Sequence, residues 1–310
     1  MAIKPSSQMT KTIYSMYRNS SPSTSITMSR SGKLSEGRSK TPALLWAGLF
    51  GMPTLISRFL VVLAVSTAMA SSVAAGSYET VWRDDFNGPA GRPDPAKWEY
   101  DLGYGNALWG NNEKQTYTNS ADNVRLDGLG HLVITARKEP DGRYTSGRIK
   151  TKGRFSAKYG RFEIRARIVR GPGLLPAFWL MGNAGQWPAN GEIDVVENIG
   201  VNPGTVFANL HAPGYSSPGE YVADGALADD FHNYAIEWTP GRIQWFFDGK
   251  LFKTAEASKL QRGQKWVFDD QPFYMILNVA IGGDWPGQPV DNVLPQSMIV
   301  DWVTVMAYRP

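Results

Sequence analysis

The 310-residue sequence contains no cysteine. That absence excludes disulfides, thiolate zinc and cysteine nucleophiles, and leaves nothing about the compartment to be read from thiols. No stretch sustains a helical period over three turns, so the periodic signal belongs to strands. The nucleophile-elbow pattern of Ser/His/acid hydrolases is missing, and the Gly-rich stretches match no phosphate loop.

Positive charge is also scarce once the N-terminal part is set aside. The whole chain carries +4, but residues 1–75 hold eight Lys or Arg and one Glu, a net of +7, which leaves −3 for the remainder. A nucleic-acid partner therefore has no electrostatic basis. Residues 1–40 are rich in Ser, Thr, Lys and Arg without apolar alternation, and read as a disordered leader. From residue 43 the composition turns apolar. The stretch "RFLVVLAVSTAMASSVAAGS" joins a basic Arg58 to an apolar run and to small residues at Ala68 and Ala70, or Val73 and Ala75. That is the layout of a secretory signal cleaved after Ala70 or Ala75, with Met52 as its natural start. The alternative is an uncleaved membrane anchor, interrupted by Arg58. The expectation is an exported, monomeric product without stable membrane association.

Residues 76–310 show no linker and read as one all-β domain. "RFEIRARIV" alternates Phe162, Ile164, Ala166 and Ile168 against Arg161, Glu163, Arg165 and Arg167, a half-buried strand. "RIQWFFDGKLFK" reads as a hairpin whose Asp248-Gly249 turn supplies positive φ. "HLVITARK", "NYAIEW", "FYMILNVAI" and "SMIVDWVTVMAY" add strands, and two packed antiparallel sheets are the economical architecture. In "FYMILNVAI" one face is apolar, while Tyr274, Ile276, Asn278 and Ala280 form a mixed face turned outward. Trp109, Trp179, Trp187 and Trp285 stand in loops or near strand ends, where an apolar ring with an N–H suits the faces and hydroxyl rims of sugars. Each is equally readable as core or loop plug; Trp245 and Trp302, in mid-strand, are assigned to core.

The stretch "GEIDVVENIG", residues 191–200, places Glu192, Asp194 and Glu197 among branched apolar residues. Strict alternation puts Glu192 and Asp194 on one face and turns Glu197 into the core, where an unpaired carboxylate costs several kcal/mol. A β-bulge at Val195 and Val196 returns Glu197 to the face of the other two. Three neighbouring acids repel, which pushes at least one carboxyl pKa up, and a pair in opposite protonation states is what glycoside hydrolysis requires. Glu side chains leaning together reach the ~5–5.5 Å separation of a retaining enzyme. The competing readings are a solvated acidic strand edge and an all-carboxylate metal site, which would favour calcium since the cluster contains no His.

"GEIDVVEN" resembles the E-x-D-x-x-E signature of the family 16 glycoside hydrolases in its bulged form. The resemblance continues through "VWRDDFNGP", "PDPAKWEY", "WGNNEKQTYT", "YTSGRIKTKGRFSAKYGRFEIRARI", "LLPAFWLMG", "FHNYAIEWTPGRIQWFFDGK", "NVAIGGDWPG" and "MIVDWVTV", in the family's order. It is nearest to the bacterial endo-1,3-β-glucanases, or laminarinases. It implies a β-jelly-roll sandwich with a concave cleft for β-glucan, and retention through a glycosyl-enzyme intermediate. Glu192 then matches the nucleophile, Glu197 the general acid/base, and Asp194 the acid that orients them. Trp109, Asn112, Arg148, Trp179, Trp187, His211, Asn278 and Trp285 match cleft positions, although His211 reads equally as a loop histidine and His232 as structural. No cofactor is implied for catalysis. A structural calcium is implied on the convex side at Asp301 and Gly130. The family's usual Asp-Glu-Phe is Asp84-Asp85-Phe86 here. A transglycosylase, a hydrolase of mixed-linkage glucan or galactan, and a non-catalytic β-glucan recognition protein share the scaffold; relatives of the last kind typically lose the acids, all three of which are present.

Overall fold

Alternation builds the sheets as the sequence reads. In the strand Gly160–Arg167 the apolar Phe162, Ile164 and Ala166 are buried and the charged residues between them are half-buried. Asp248 and Gly249 adopt φ of 46° and 76° and join Arg242–Phe247 to Lys250–Glu256, the two-residue turn whose backbone twist suits a hairpin. His232 lies against that turn, its Nδ1 2.7 Å from Asp248 Oδ2, a structural contact. The computed structural model describes residues 77–309; the expected leader and signal, with Arg58, Ala70 and Ala75, lie outside the described residues.

Two sheets result. The first runs in the order Lys250–Glu256, Arg242–Phe247, His232–Thr239, Gly160–Arg167, Gln296–Arg309, Leu132–Lys138, Tyr144–Ser146, Gln115–Tyr117. The second runs Tyr215–Ser216, Thr205–Ala212, Glu192–Glu197, Leu174–Gly182, Phe273–Ile281, Arg148–Lys150, Glu99–Tyr100. Pairing is antiparallel between these neighbours except for Gln115–Tyr117 on Tyr144–Ser146, which is parallel. Phe162, Ile164, Trp238 and Trp245 from the first sheet share one core with Phe178, Leu180, Ile193 and Leu277 from the second. Each such side chain contributes roughly 1.5–3 kcal/mol by leaving water.

Two expectations are corrected. Trp302 is half-exposed, not core. The register against Gly160–Arg167 jumps from Val300 opposite Ala166 to Trp302 opposite Arg165. Asp301 is thus an extra residue, and it rotates Trp302 to the outer face, where Arg83 lies 5.0 Å above its ring. Trp245, by contrast, is fully buried. The mixed face of Phe273–Ile281 does not meet solvent either: Asn278 and Tyr274 are buried under neighbouring side chains.

Candidate active site

The strand Glu192–Glu197 lies between Leu174–Gly182 and Thr205–Ala212. Asp194 pairs with Asn209 and Glu197 with Phe207, so three steps along the acid strand face two on its neighbour. On the other side Asp194 opposes Trp179 and Val196 opposes Phe178, which leaves Val195 as the extra residue. The expected bulge is present. Val195 and Val196 are both buried. From the core below, Trp245 Nε1 donates to the Asp194 carbonyl at 2.7 Å and satisfies a main-chain group that the disrupted ladder leaves free.

Because the bulge re-aims Glu197, three rows of cross-strand neighbours form one polar surface. One row is Phe207, Glu197, Ala177, Asn278 and Arg148. The next is Asn209, Asp194, Trp179, Ile276 and Lys150, and the third is His211, Glu192, Met181 and Tyr274. Residues opposite one another share a face, so Arg148, Trp179, His211 and Asn278 join the acids as expected. Arg148 is held between the Trp109 ring, 4.4 Å away, and the Trp179 ring, 4.8 Å away, and pairs with Asp101 at 2.9 Å. Trp187 is 49% exposed, its indole donates to Glu192, and its ring centre is 6.0 Å from that of His211. Trp285 meets Phe207 edge-on at 5.1 Å, which puts it at the Glu197 end. Asn112 stands apart from the rows: its Nδ2 donates to both carboxylate oxygens of Asp284 at 2.9 Å and ties two loops together.

Sequence reasoning missed a second layer. Trp179 Nε1 donates to Asn278 Oδ1 at 2.8 Å, Asn278 Nδ2 to the Tyr117 hydroxyl at 3.1 Å, and that hydroxyl to Glu113 Oε2 at 3.3 Å. Gln115 Nε2 also donates to Glu113 Oε2, at 2.6 Å. The period-2 spacing of Glu113, Gln115 and Tyr117 was a readable signal that they face one way. Asn209 was legible in the same manner, two residues before His211.

Asp301 lies in Gln296–Arg309, on the first sheet, and Arg165 Nη1 sits 2.5 Å from its Oδ2. Gly130 has φ of 93° beside Asn87 Oδ1. A calcium ion at this carboxylate would have to displace a guanidinium that already neutralises it, so the residues fit the ion poorly and no step is derived through it.

The electrostatics separate the two glutamates. Burial pushes Glu192 up to about 7, with the Asp194 charge adding, while His211 and the Trp187 hydrogen bond oppose the shift. Burial raises Glu197 well above the usual carboxylate range, with Asp194, Glu192 and Glu113 adding. For His211, burial works against the imidazolium, but the Asp194 hydrogen bond and the charges of Glu192 and Asp194 outweigh it and raise the group to about 9. A carboxyl whose folded pKa lies above its unfolded value stabilises most below that unfolded value, and this stability is lost as pH rises through the folded one. Glu197→Gln is therefore expected to raise Tm at pH 8 and to do so less at pH 5, by about 2–4 °C for each kcal/mol relieved. Calorimetry at the two pH values checks the sign; an equal shift at both would contradict it.

The profile of the glycosyl hydrolases family 16 matches residues 111–304. The chain belongs to this family. Relatives of family 16 bear this out. A Beta-glucanase from Rhodothermus marinus is 43% identical over 74% of this chain and 86% of its own length. Glucan endo-1,3-beta-glucosidase A1 of Niallia circulans is 34% identical over 78% of this chain but only 39% of its own. The X-ray structure of the laminarinase from Rhodothermus marinus superposes with a TM-score of 0.71 at 40% identity, covering 76% of this chain and 99% of that one. The two-sheet sandwich is thus the family 16 jelly roll, and the chain is a glycoside hydrolase.

Proposed function

We propose that the protein is a retaining endo-1,3-β-glucanase, acting on laminarin-like β-glucan by double displacement. The carrying observation is the bulge at Val195, which aims Glu192, Asp194 and Glu197 at one polar, Trp-lined surface. Glu197, the more strongly raised acid, holds the proton that a leaving glycosidic oxygen needs. Glu192, which the His211 and Trp187 contacts favour as carboxylate, attacks the anomeric carbon. As the glycosyl-enzyme forms, the proton passes from Glu197 to the departing sugar. Glu197, now ionised, then removes a proton from the water that releases the product. Burial keeps Glu197 protonated at neutral pH, and the charge of Asp194, itself buried between the two, adds to the effect.

Product analysis on laminarin, lichenan and agarose tests the substrate, with NMR of the first-formed anomer testing retention. β-Configured oligosaccharides from laminarin are expected; an α-anomer, or cleavage of agarose alone, would overturn the reading. The pH profile carries a second expectation. Positive charge at His211 favours the Glu192 carboxylate, so His211→Ala moves the acid limb of kcat/KM to higher pH. An acid limb that stays put, or moves down, would remove His211 from the control of Glu192.

A further inference from the structure

The hairpin whose Trp245 supports the acid strand carries a register shift of its own. Phe247 pairs with Lys250 and Phe246 with Leu251, so regular pairing would set Phe252 opposite Trp245; instead Trp245 pairs with Lys253, and Phe252 is the extra residue. The bulge places an amine where alternation places a phenyl ring. Ala255, two residues on, is buried, which marks this face of the strand as the inner one.

The lysine is closely enclosed there. Its stem runs against Gly219 in the strand Gly219–Val222, where a Cβ would come within 2.5 Å of Lys253 Cδ. Its Nζ is buried, makes no hydrogen bond, and lies 3.6 Å from the centre of the Trp245 ring. Burial pulls the amine down to about 7, with the Asp194 charge opposing the shift. A charge so desolvated weakens the fold, and a buried polar group that does so calls for an explanation. The explanation lies at the rim of the same ring, where Trp245 Nε1 donates to the Asp194 carbonyl at 2.7 Å. A cation against the face of an indole draws electron density toward itself and makes the N–H a stronger donor.

We propose that Lys253 is a positioning residue for the catalytic acids: its ammonium, held on the Trp245 ring, strengthens the indole hydrogen bond that fixes the Asp194 main chain at the bulge, and so holds the aim of Glu192 and Glu197. It acts from the opposite sheet and touches no substrate. The catalytic consequence rests on the functional reading above; the link from amine to indole to carbonyl does not.

The test compares Lys253→Met, which keeps the length and removes the charge, with Lys253→Arg, whose guanidinium also stacks on an indole. Both are measured in the full chain at pH 6, where the amine is charged. The folded pKa of this lysine lies below the unfolded one, so its charge weakens the fold below the folded value and ceases to do so above the unfolded one. Lys253→Met is therefore expected to raise Tm, while kcat on laminarin falls about ten-fold at unchanged KM, a loss that a drift of the acids by well under ~1 Å would produce. Lys253→Arg should stay within about three-fold of the wild-type kcat. Hydrogen exchange of the Trp245 indole N–H, followed by NMR and assigned by its disappearance in Trp245→Phe, should quicken about ten-fold in Lys253→Met and not in Lys253→Arg. Lys253→Met combined with Trp245→Phe should lose no more kcat than the worse of the two alone. Unchanged kcat in Lys253→Met, a joint fall of Tm and kcat there, an equal loss in Lys253→Arg, or additive losses in the double variant would each overturn the proposal. Faster indole exchange in Lys253→Met of a chain that cleaves no laminarin would support the lysine's hold on the acid strand and sink the functional reading instead.

Discussion

With an activated aryl β-glucoside as substrate, Glu197→Ala is expected to remain active and, in the presence of azide, to release the β-glycosyl azide. Such a leaving group needs no proton, so the first step survives, and the small anion replaces the water that Glu197 would have activated. On laminarin itself the same variant should lose about 10²–10⁴-fold, the usual contribution of a positioned acid. Glu192→Ala cannot form the glycosyl-enzyme, and azide entering the vacated space attacks from the opposite face to give at best the α-azide. Separating the two azides by NMR settles the roles. One product from both variants, or no rescue in a Glu197→Ala protein that still binds glucan, would reverse or remove them.

Deleting Val195 should leave a folded protein with impaired catalysis. Val195 is the residue with no partner on Leu174–Gly182, so its removal lets Glu192, Asp194 and Glu197 alternate regularly without rotating the strand beyond them. The loss of one buried valine lowers stability by roughly 1.5–3 kcal/mol. The acids then sit one backbone step closer together, and a displacement of even ~1 Å in a reacting group is worth about 10²-fold in rate. Thermal unfolding of the deletion beside Glu197→Gln, with laminarin hydrolysis, makes the comparison. If the deletion unfolds the chain while Glu197→Gln does not, the bulge has been misplaced.

Two bulges show how far the sequence could be read. At Val195 the three acids made the extra residue visible, because without it a carboxylate would be driven into a core of valines and isoleucines. At Asp301 nothing of the kind raises an alarm: Val300 and Trp302 alternate plausibly as inward residues, and the mid-strand position of Trp302 points to the core. A register shift is legible only when it rescues something that alternation would ruin. The strands Gly160–Arg167 and Arg242–Phe247 were readable because one face is apolar and the other charged. For Glu113 and Asn209 a local period of two shows only which way they face; their partners, Gln115 and Tyr117 for the first and His211 for the second, become meaningful only once register places them beside the acids. His211 was recognised as a cleft position through family resemblance, yet its place directly opposite Glu192 is a matter of register alone.

Both proposed catalytic acids belong to a single strand of six residues, laddered to a neighbour on each side. No hinge lies between nucleophile and acid, so their separation does not wait on the closure of a lid or the docking of a second domain. The bond-breaking step should accordingly proceed in protein fixed to a support or packed in a crystal, limited there by how fast a long glucan threads in and its fragments diffuse away.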